Sequence, residues 1–204
     1  MADQPAAEKT TFRPVFEVGP SCLDRARGVE GAFQHAIAPA TVDFDFGEIS
    51  RAASAIPDSS TVRIIRGWGL QETAPVSVMV MSLKEAVRQA LSEPFTNTRF
   101  WEKVEEAFTD AFVDLGKQEG THLSFYEETP QRTGYYYNLL FALQDEETGD
   151  HLYAVALCLN ATLAVDAEKA RSLSVQDTAR CHLRVNAIAV RRRLEPSGSV
   201  ASPA

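Results

Sequence analysis

The sequence predicts a single-domain α/β fold, and three observations lead to that prediction. The 204 residues suit one domain, and 45% of them are hydrophobic, which is enough to bury a core. Amphipathic helix patterns occupy residues 75–117, and strand patterns occupy most of residues 121–191. The strands include a long hairpin almost without charge, which indicates a sheet covered on both faces. We therefore predict one domain over residues 12–193, with mobile ends at residues 1–11 and 194–204.

The N-terminal third predicts a mixture of strands and one helix. Residues 13–18 predict a short strand, and residues 21–37 carry apolar side chains at helical spacing. Apolar and acidic side chains alternate over residues 41–48, which predicts a second strand. A third strand is predicted over residues 61–70 after a Pro-containing turn.

Two consecutive helices are predicted in the middle of the chain. Pro75 suits the first turn of a helix whose apolar stripe ends at Leu91 and which Pro94 terminates. Residues 96–117 repeat the three-to-four spacing of apolar side chains, with charged side chains on the opposite face. We expect this helical hairpin to pack on a sheet.

The C-terminal third changes to the period of strands. A strand is predicted over residues 121–127, followed by two long strands over residues 135–144 and 152–165. The polar, glycine-bearing loop between the long strands indicates a β-hairpin. A helical turn at residues 167–171 and a strand over residues 180–191 complete the prediction.

The two faces of the long hairpin differ in chemistry, because side chains alternate across a strand. One face is fully apolar or aromatic, and the other is small and mildly polar. The apolar face comprises Tyr135, Tyr137, Leu139, Phe141, Leu143, Tyr153, Val155, Leu157, Leu159, Leu163 and Val165. By itself this pattern favours core strands packed between helix layers, although strands that place an apolar face in lipid have the same asymmetry. The two interpretations are compatible if the protein has two states.

Four segments, in order along the chain, resemble the Cyt cytolytic δ-endotoxins and their mushroom relatives, the volvatoxins. Residues 135–144, followed by Thr-Gly within residues 147–149, resemble the family pattern Tyr-x-Tyr-Asn-x-Leu-Phe-Ala-x-Gln and its turn. Residues 173–179 resemble its segment Thr-Ile-Gln-Asp-Ser-Ala. Residues 32–39 resemble Ala-Phe-Gln-Asn-Ala-Leu-Val-Pro, and residues 75–80 contain a similar Val-Ser-Val-Met.

The resemblance implies a three-layer α/β/α sandwich, in which a largely antiparallel central sheet is flanked by helical hairpins. It also implies a pore-forming cytolysin that binds membrane phospholipids, opens its helix layers and inserts its C-terminal strands as self-oligomers. The eleven side chains of the apolar face would be the membrane-insertion side chains. The first helix region is short compared with the family, so we expect a reduced first helix layer.

The predicted last strand departs from the family pattern by being basic. No acidic residue lies between residues 180 and 193. Two interpretations remain open: a solvated edge that discourages aggregation, or a contact with lipid headgroups or sulfated glycans. Under the second interpretation, the residues that contact headgroups or glycans are Arg184, Arg191, Arg192 and Arg193.

Other functions are disfavoured by composition and spacing. A net charge of −8 argues against nucleic-acid partners. Cys181 and His182 are adjacent on a strand and so point to opposite faces, which argues against a catalytic pair. No hydrolase or phosphate-loop motif occurs, and the three cysteines have no metal-ligand spacing, so we expect no enzyme, cofactor or metal.

The resemblance implies action at a target-cell membrane. The polar N-terminus has no apolar core of a secretory signal peptide, so we expect release from the producing cell by another route. The alternative function is a non-lytic member of the same fold that binds lipid or a protein partner. The hairpin interpretation predicts that Leu157→Arg weakens folding or insertion and that Glu105→Lys does neither.

Overall fold

The computed structural model describes residues 11–37, 45–118 and 121–194. Its helices are α1 (Leu23–Gln34), α2 (Phe46–Ala55), α3 (Val76–Leu91), α4 (Thr98–Asp110) and α5 (Ala167–Arg171). Its strands are β1 (Arg13–Glu17), β2 (Ser59–Pro75), β3 (Leu123–Thr129), β4 (Arg132–Gln144), β5 (His151–Leu163) and β6 (Thr178–Arg193). Single 3₁₀ turns lie at Pro20–Cys22 and Leu115–Lys117.

The six strands form one sheet, in the order β1-β4-β5-β6-β2. Strand β3 lies beside the first half of β4, and β1 lies along the same edge beside the second half. Only the β1–β4 pair is parallel among the described pairs. The prediction of a largely antiparallel sheet is therefore confirmed, and the long hairpin β4–β5 lies at its centre.

Helices cover both faces of the sheet, as predicted. We call the face under α3 and α4 the first face, and the face under α1 and α2 the second face. On the first face, Phe100 and Phe108 of α4 pack against Phe141 of β4. On the second face, α1 and α2 share a separate apolar core with β4, β5 and β6. The three-layer α/β/α sandwich is confirmed.

Most predicted elements are present, with shifted ends. Strand β2 extends to Pro75, which then caps the N-terminus of α3 instead of lying in its first turn. Helix α4 begins after Asn97, whose side chain accepts a 2.9 Å hydrogen bond from the Phe100 amide. It ends at Asp110, seven residues before the predicted end at residue 117.

The strand predicted over residues 41–48 is wrong where the structure describes it. Residues 46–48 form the start of α2, because the Asp45 carboxylate accepts hydrogen bonds from the amides of Gly47 and Glu48 and so begins a helix. The rest of that prediction, up to residue 44, lies outside the described residues. Because α2 joins α1, the helix layer formed by the N-terminal part of the chain has two helices. The expectation that this layer has fewer helices than in the family is therefore also wrong.

Backbone hydrogen bonds hold the first and last described residues to the fold, and the domain limits at residues 12 and 193 stay a prediction. The Thr11 amide donates a hydrogen bond to the Thr121 carbonyl, and the Leu194 amide donates one to the Asp150 carbonyl. Leu194 is buried in the core beneath α1 and α2. Residues 1–10 and 195–204 lie outside the described residues.

Candidate functional site: the central ribbon

The β4–β5 hairpin, which we call the ribbon, forms the middle of the sheet. Each of its strands has 13 residues, more than the roughly 9–11 that a strand needs to cross a bilayer. Leu139 pairs with Leu157 at its centre. Strands β1 and β3 lie along one edge and β6 along the other, so both ribbon edges are paired in this state.

All but one of the predicted insertion side chains are buried on the first face beneath α3 and α4. The buried residues are Tyr135, Tyr137, Leu139, Phe141, Leu143, Tyr153, Val155, Leu157, Leu159 and Leu163. Val165 lies just beyond β5 and is half-buried against the same core. Exposing each large side chain to water would cost about 1.5–3 kcal/mol, so the helices cannot leave this face in water without a large penalty.

Within the part of the chain that the structure describes, helices cover the second face of the ribbon over only half of its length. Near the β4–β5 turn, small and apolar side chains such as Leu140, Ala142 and Ala156 lie beneath α1 and α2. At the other end the side chains are polar, and Asn160 and Thr162 are partly exposed. The sequence predicted two covered faces, and among the described residues helices cover the second face only near the turn.

Ionic contacts join α4 to the strand beside the ribbon. The Lys103 ammonium lies 2.5 Å from a Glu17 carboxylate oxygen and donates a 2.8 Å hydrogen bond to the Phe16 carbonyl. Farther along, an Arg13 nitrogen lies 2.7 Å from an Asp110 oxygen. Both pairs connect α4 to β1, which pairs with β4. They hold the helix layer in register over the ribbon.

Two tyrosine hydroxyls of the ribbon also bond to the helix layer. The Tyr135 hydroxyl donates a 2.8 Å hydrogen bond to the Ala111 carbonyl, and the Tyr137 hydroxyl donates one of 2.5 Å to the Gln118 side chain. Burial raises the pKa of Tyr135 well above its ordinary value. Burial also raises the pKa of Tyr137, although a hydrogen bond from Arg13 opposes the shift. The folded state therefore favours the neutral phenols.

These shifts predict loss of stability at alkaline pH. A raised pKa in the folded state stabilises the fold fully below the unfolded pKa of about 10, and the contribution is lost as the pH rises beyond it. Tyr135→Phe should cost about 1 kcal/mol near neutral pH, because a hydrogen bond is lost. Its deficit relative to the wild type should shrink as the pH rises above about 10. Urea unfolding of both proteins across this range measures the difference, and an unchanged deficit would contradict the prediction.

The connection between α3 and α4 contacts the turn of the ribbon. The Asn97 amide donates a 2.5 Å hydrogen bond to the Glu146 carboxylate in that turn. The Tyr153 hydroxyl donates a 3.1 Å bond to Glu93, and its ring meets Phe95 edge to face. A hydrogen bond from Thr148 lowers the pKa of Asp145 in the same turn. The α3–α4 layer therefore contacts the ribbon at the β4–β5 turn as well as along the length of its strands.

Helices α3 and α4 are joined to each other by a partly buried ion pair. The Lys84 ammonium lies 2.9 Å from a Glu105 oxygen, and Lys84 is only 9% exposed. Glu105→Lys is therefore a poor neutral control, since it would place two cations together and leave Lys84 unpaired. Glu106, exposed on the same helix, is the better neutral position. Leu157→Arg stays a prediction.

The four arginines predicted to contact headgroups do not form one patch. Arg191, Arg192 and Arg193 lie at the end of β6, where Arg191 bonds to the Tyr153 hydroxyl. Arg184 is seven residues earlier on the same strand, about 23 Å away, and is exposed on the second face. Any contact with lipid by all four would have to span most of the length of the strand.

Neighbouring side chains on β6 point to opposite faces, as the sequence predicted. Cys181 is buried and His182 is exposed. Burial raises the pKa of the Cys181 thiol. Across the described ranges, no cluster of three metal-ligating side chains occurs, and no helix is long and apolar enough to span a bilayer.

Sequence reasoning missed the contacts that hold the helices on the ribbon. Glu17 and Lys103 are separated by 86 residues, and Asn97 and Glu146 by 49. Each of these residues is an ordinary polar side chain in its own segment. No local signal marks such a pair, because the partner is supplied by the packing of distant segments.

This architecture, an apolar hairpin at the centre of a mixed sheet between two helix layers, defines an α/β cytolysin fold. Residues 2–201 match the sequence model of the family described as Bacillus thuringiensis toxin, and the chain belongs to that family. The type-2Aa cytolytic delta-endotoxin of Bacillus thuringiensis subsp. kyushuensis is 29% identical, over 96% of this chain and 76% of the relative.

Solved structures show the same relationship. The activated Cyt2Ba monomer from Bacillus thuringiensis subsp. israelensis has a TM-score of 0.84 at 28% identity, and the match covers 91% of this chain and 100% of that chain. A second solved delta-endotoxin has a TM-score of 0.85 at 29% identity, covering 100% of this chain and 88% of the other. The resemblance stated from sequence is confirmed, and the chain is a member of a family of cytolytic toxins.

Proposed function

We propose that the chain is a pore-forming cytolysin that binds phospholipid bilayers, opens its helix layers and inserts the ribbon as an oligomer at a target-cell membrane. The observation that carries the proposal is the first face of the ribbon. Its side chains are apolar or aromatic along both 13-residue strands, and they are sealed beneath helices held partly by polar contacts.

A bilayer removes the penalty that keeps the ribbon covered. Apolar area costs about 25 cal/mol per Å² in water and far less in hydrocarbon, so lipid selects the open state. The inserting side chains are those of the first face, from Tyr135 and Leu139 to Leu163 and Val165. The proposal assigns binding and insertion to the chain and no catalytic step.

Oligomerisation follows from the edges of the ribbon. In the water-soluble state β1, β3 and β6 satisfy the edge amides and carbonyls of β4 and β5. A ribbon that leaves any of these neighbours exposes unpaired backbone groups, which lipid does not tolerate. Ribbons from several copies are expected to pair with one another into a closed sheet. Arg191, Arg192 and Arg193 would then contact lipid phosphates, or sulfated glycans, at the end of β6.

Dye release from phosphatidylcholine vesicles tests the proposal. We expect binding followed by leakage, with oligomers on the membrane detected by chemical crosslinking. Glu106→Gln provides a surface control that should leak as the wild type does. Binding without leakage would contradict the lytic proposal and would favour the alternative of a non-lytic lipid-binding member. Absence of binding would favour a protein partner.

A further inference from the structure

One half of the second face, which no described helix covers, is a polar surface of the sheet. We call it the open half-face, and define it by Tyr126, Tyr136, Asn160, Thr162, His182 and Arg184. It borders the α1–α2 layer, against whose core Tyr136 packs. Tyr126, His182 and Arg184 are exposed, and Tyr126 is 42% accessible. Together with the half-buried Tyr136, Tyr126 places two aromatic rings side by side on an otherwise polar sheet surface.

A glycine lets the Tyr126 ring lie flat across the sheet. A Cβ on Gly134 of β4 would lie 2.6 Å from the Tyr126 ring, so any larger residue would push the ring away. The Tyr126 hydroxyl donates a 2.8 Å hydrogen bond to the Asn160 side chain on β5 and lies 3.1 Å from the Thr162 hydroxyl. The ring also stacks at 4.4 Å on Tyr136. The result is an aromatic platform held in a defined position.

A second glycine lets Arg184 lie across the opposite side of the same surface. Gly67 of β2 has a φ of +66°, and a Cβ there would lie 3.3 Å from the Arg184 Nε. Gly67 lies in a β-bulge between Ile65 and Trp68 of β2, and its amide donates a 2.8 Å hydrogen bond to the Asn186 side chain, which holds the bulge in place. The Tyr126 hydroxyl and the Arg184 guanidinium are separated by about two strand spacings, roughly 10 Å.

The charges around Arg184 favour a phosphate. Its cross-strand neighbours are Asn160 and Gly69, and those of His182 are Thr162 and Gln71. No carboxylate therefore faces either group from the adjoining strands. Within the described chain, Arg184 forms no ion pair, and the cation is available to an anionic ligand.

We propose that the open half-face binds the phosphocholine headgroup of a bilayer lipid, with Arg184 contacting the phosphate and Tyr126 the quaternary ammonium. Aromatic rings recognise quaternary ammonium groups, and guanidinium groups recognise phosphates. A net charge of −8 opposes approach to an anionic surface, which favours a zwitterionic lipid over an anionic one. The inference rests on the proposed binding of phospholipid bilayers and adds the side by which the folded protein docks.

Flotation with phosphatidylcholine vesicles tests this docking surface. Arg184→Gln should weaken binding about fivefold, and Tyr126→Leu about two- to fivefold. Gly134→Ala should weaken it as Tyr126→Leu does, because it displaces the ring without removing a polar group. Arg27→Gln, which removes an exposed arginine on α1, is the matched control and should bind as the wild type does. Thermal melting of every variant checks the fold.

The outcomes separate docking from lysis. Leakage per bound molecule should be unchanged in Arg184→Gln and Tyr126→Leu, since neither belongs to the first face. If both variants bind phosphatidylcholine as the wild type does, the docking inference is overturned while the lytic proposal stands. Wild-type binding restricted to phosphatidylglycerol vesicles or to a sulfated glycan would also overturn it. Binding that depends on Arg184 and Tyr126 without any leakage would support the docking inference and contradict the lytic proposal.

Discussion

A reducible crosslink between residues 97 and 146 is expected to abolish vesicle leakage, and a reductant is expected to restore it. Asn97 caps α4, and its side chain contacts Glu146 in the turn of the ribbon. A protein carrying Asn97→Cys and Glu146→Cys, bridged by a short thiol crosslinker, would keep the ribbon tip on the helix layer. The native cysteines are buried, so they should not compete for the reagent in the folded protein.

The matched control joins two helices of the same layer. Lys84→Cys and Glu105→Cys, bridged in the same way, would replace an ion pair between α3 and α4. This crosslink leaves the layer free to move as a unit, so leakage should persist at the level of the unbridged double variant. The crosslink between residues 97 and 146 should lower leakage by at least a hundredfold. If the protein crosslinked between residues 97 and 146 leaks as much as the unbridged variant, opening of the α3–α4 layer is not the lytic step.

Removing either ring of the Phe108–Phe141 contact is expected to destabilise the protein about equally but to give different rates of leakage. The two rings meet at 5.5 Å across the interface between α4 and β4, and both residues are fully buried. Phe108→Ala and Phe141→Ala should each lower the free energy of unfolding by about 3–5 kcal/mol. The two variants should therefore have nearly the same stability in water.

In the membrane the two substitutions differ, because only Phe141 belongs to the inserting face. Phe108→Ala weakens the cover and should accelerate leakage. Phe141→Ala also weakens the cover but removes apolar area from the ribbon, and should leak at least about tenfold less than Phe108→Ala. Urea unfolding and dye-release kinetics measure the two effects, with Glu106→Gln as the control. Equal changes in leakage would contradict the claim that only Phe141 belongs to the inserting face.

The strands of the ribbon and their two faces could be predicted from sequence, because alternation of side chains is a local property. The apolar face from Tyr135 to Leu163 was identified in this way, and the structure buries it as a unit beneath α3 and α4. Helix α5 was also predicted at its observed bounds. Residues 46–48 were predicted wrongly, because three residues cannot separate alternation from a capped helix start.

The sequence by itself determined most of the elements, the apolar ribbon and, through its resemblance, the family. Only the tertiary structure decided which neighbours cover each face, where the α1–α2 layer stops, and which polar pairs hold α4 on the sheet. The physical reason is one of range. Periodicity and capping act within a few residues, whereas contacts such as Glu17 with Lys103 and Tyr126 with Gly134 depend on how separate segments pack.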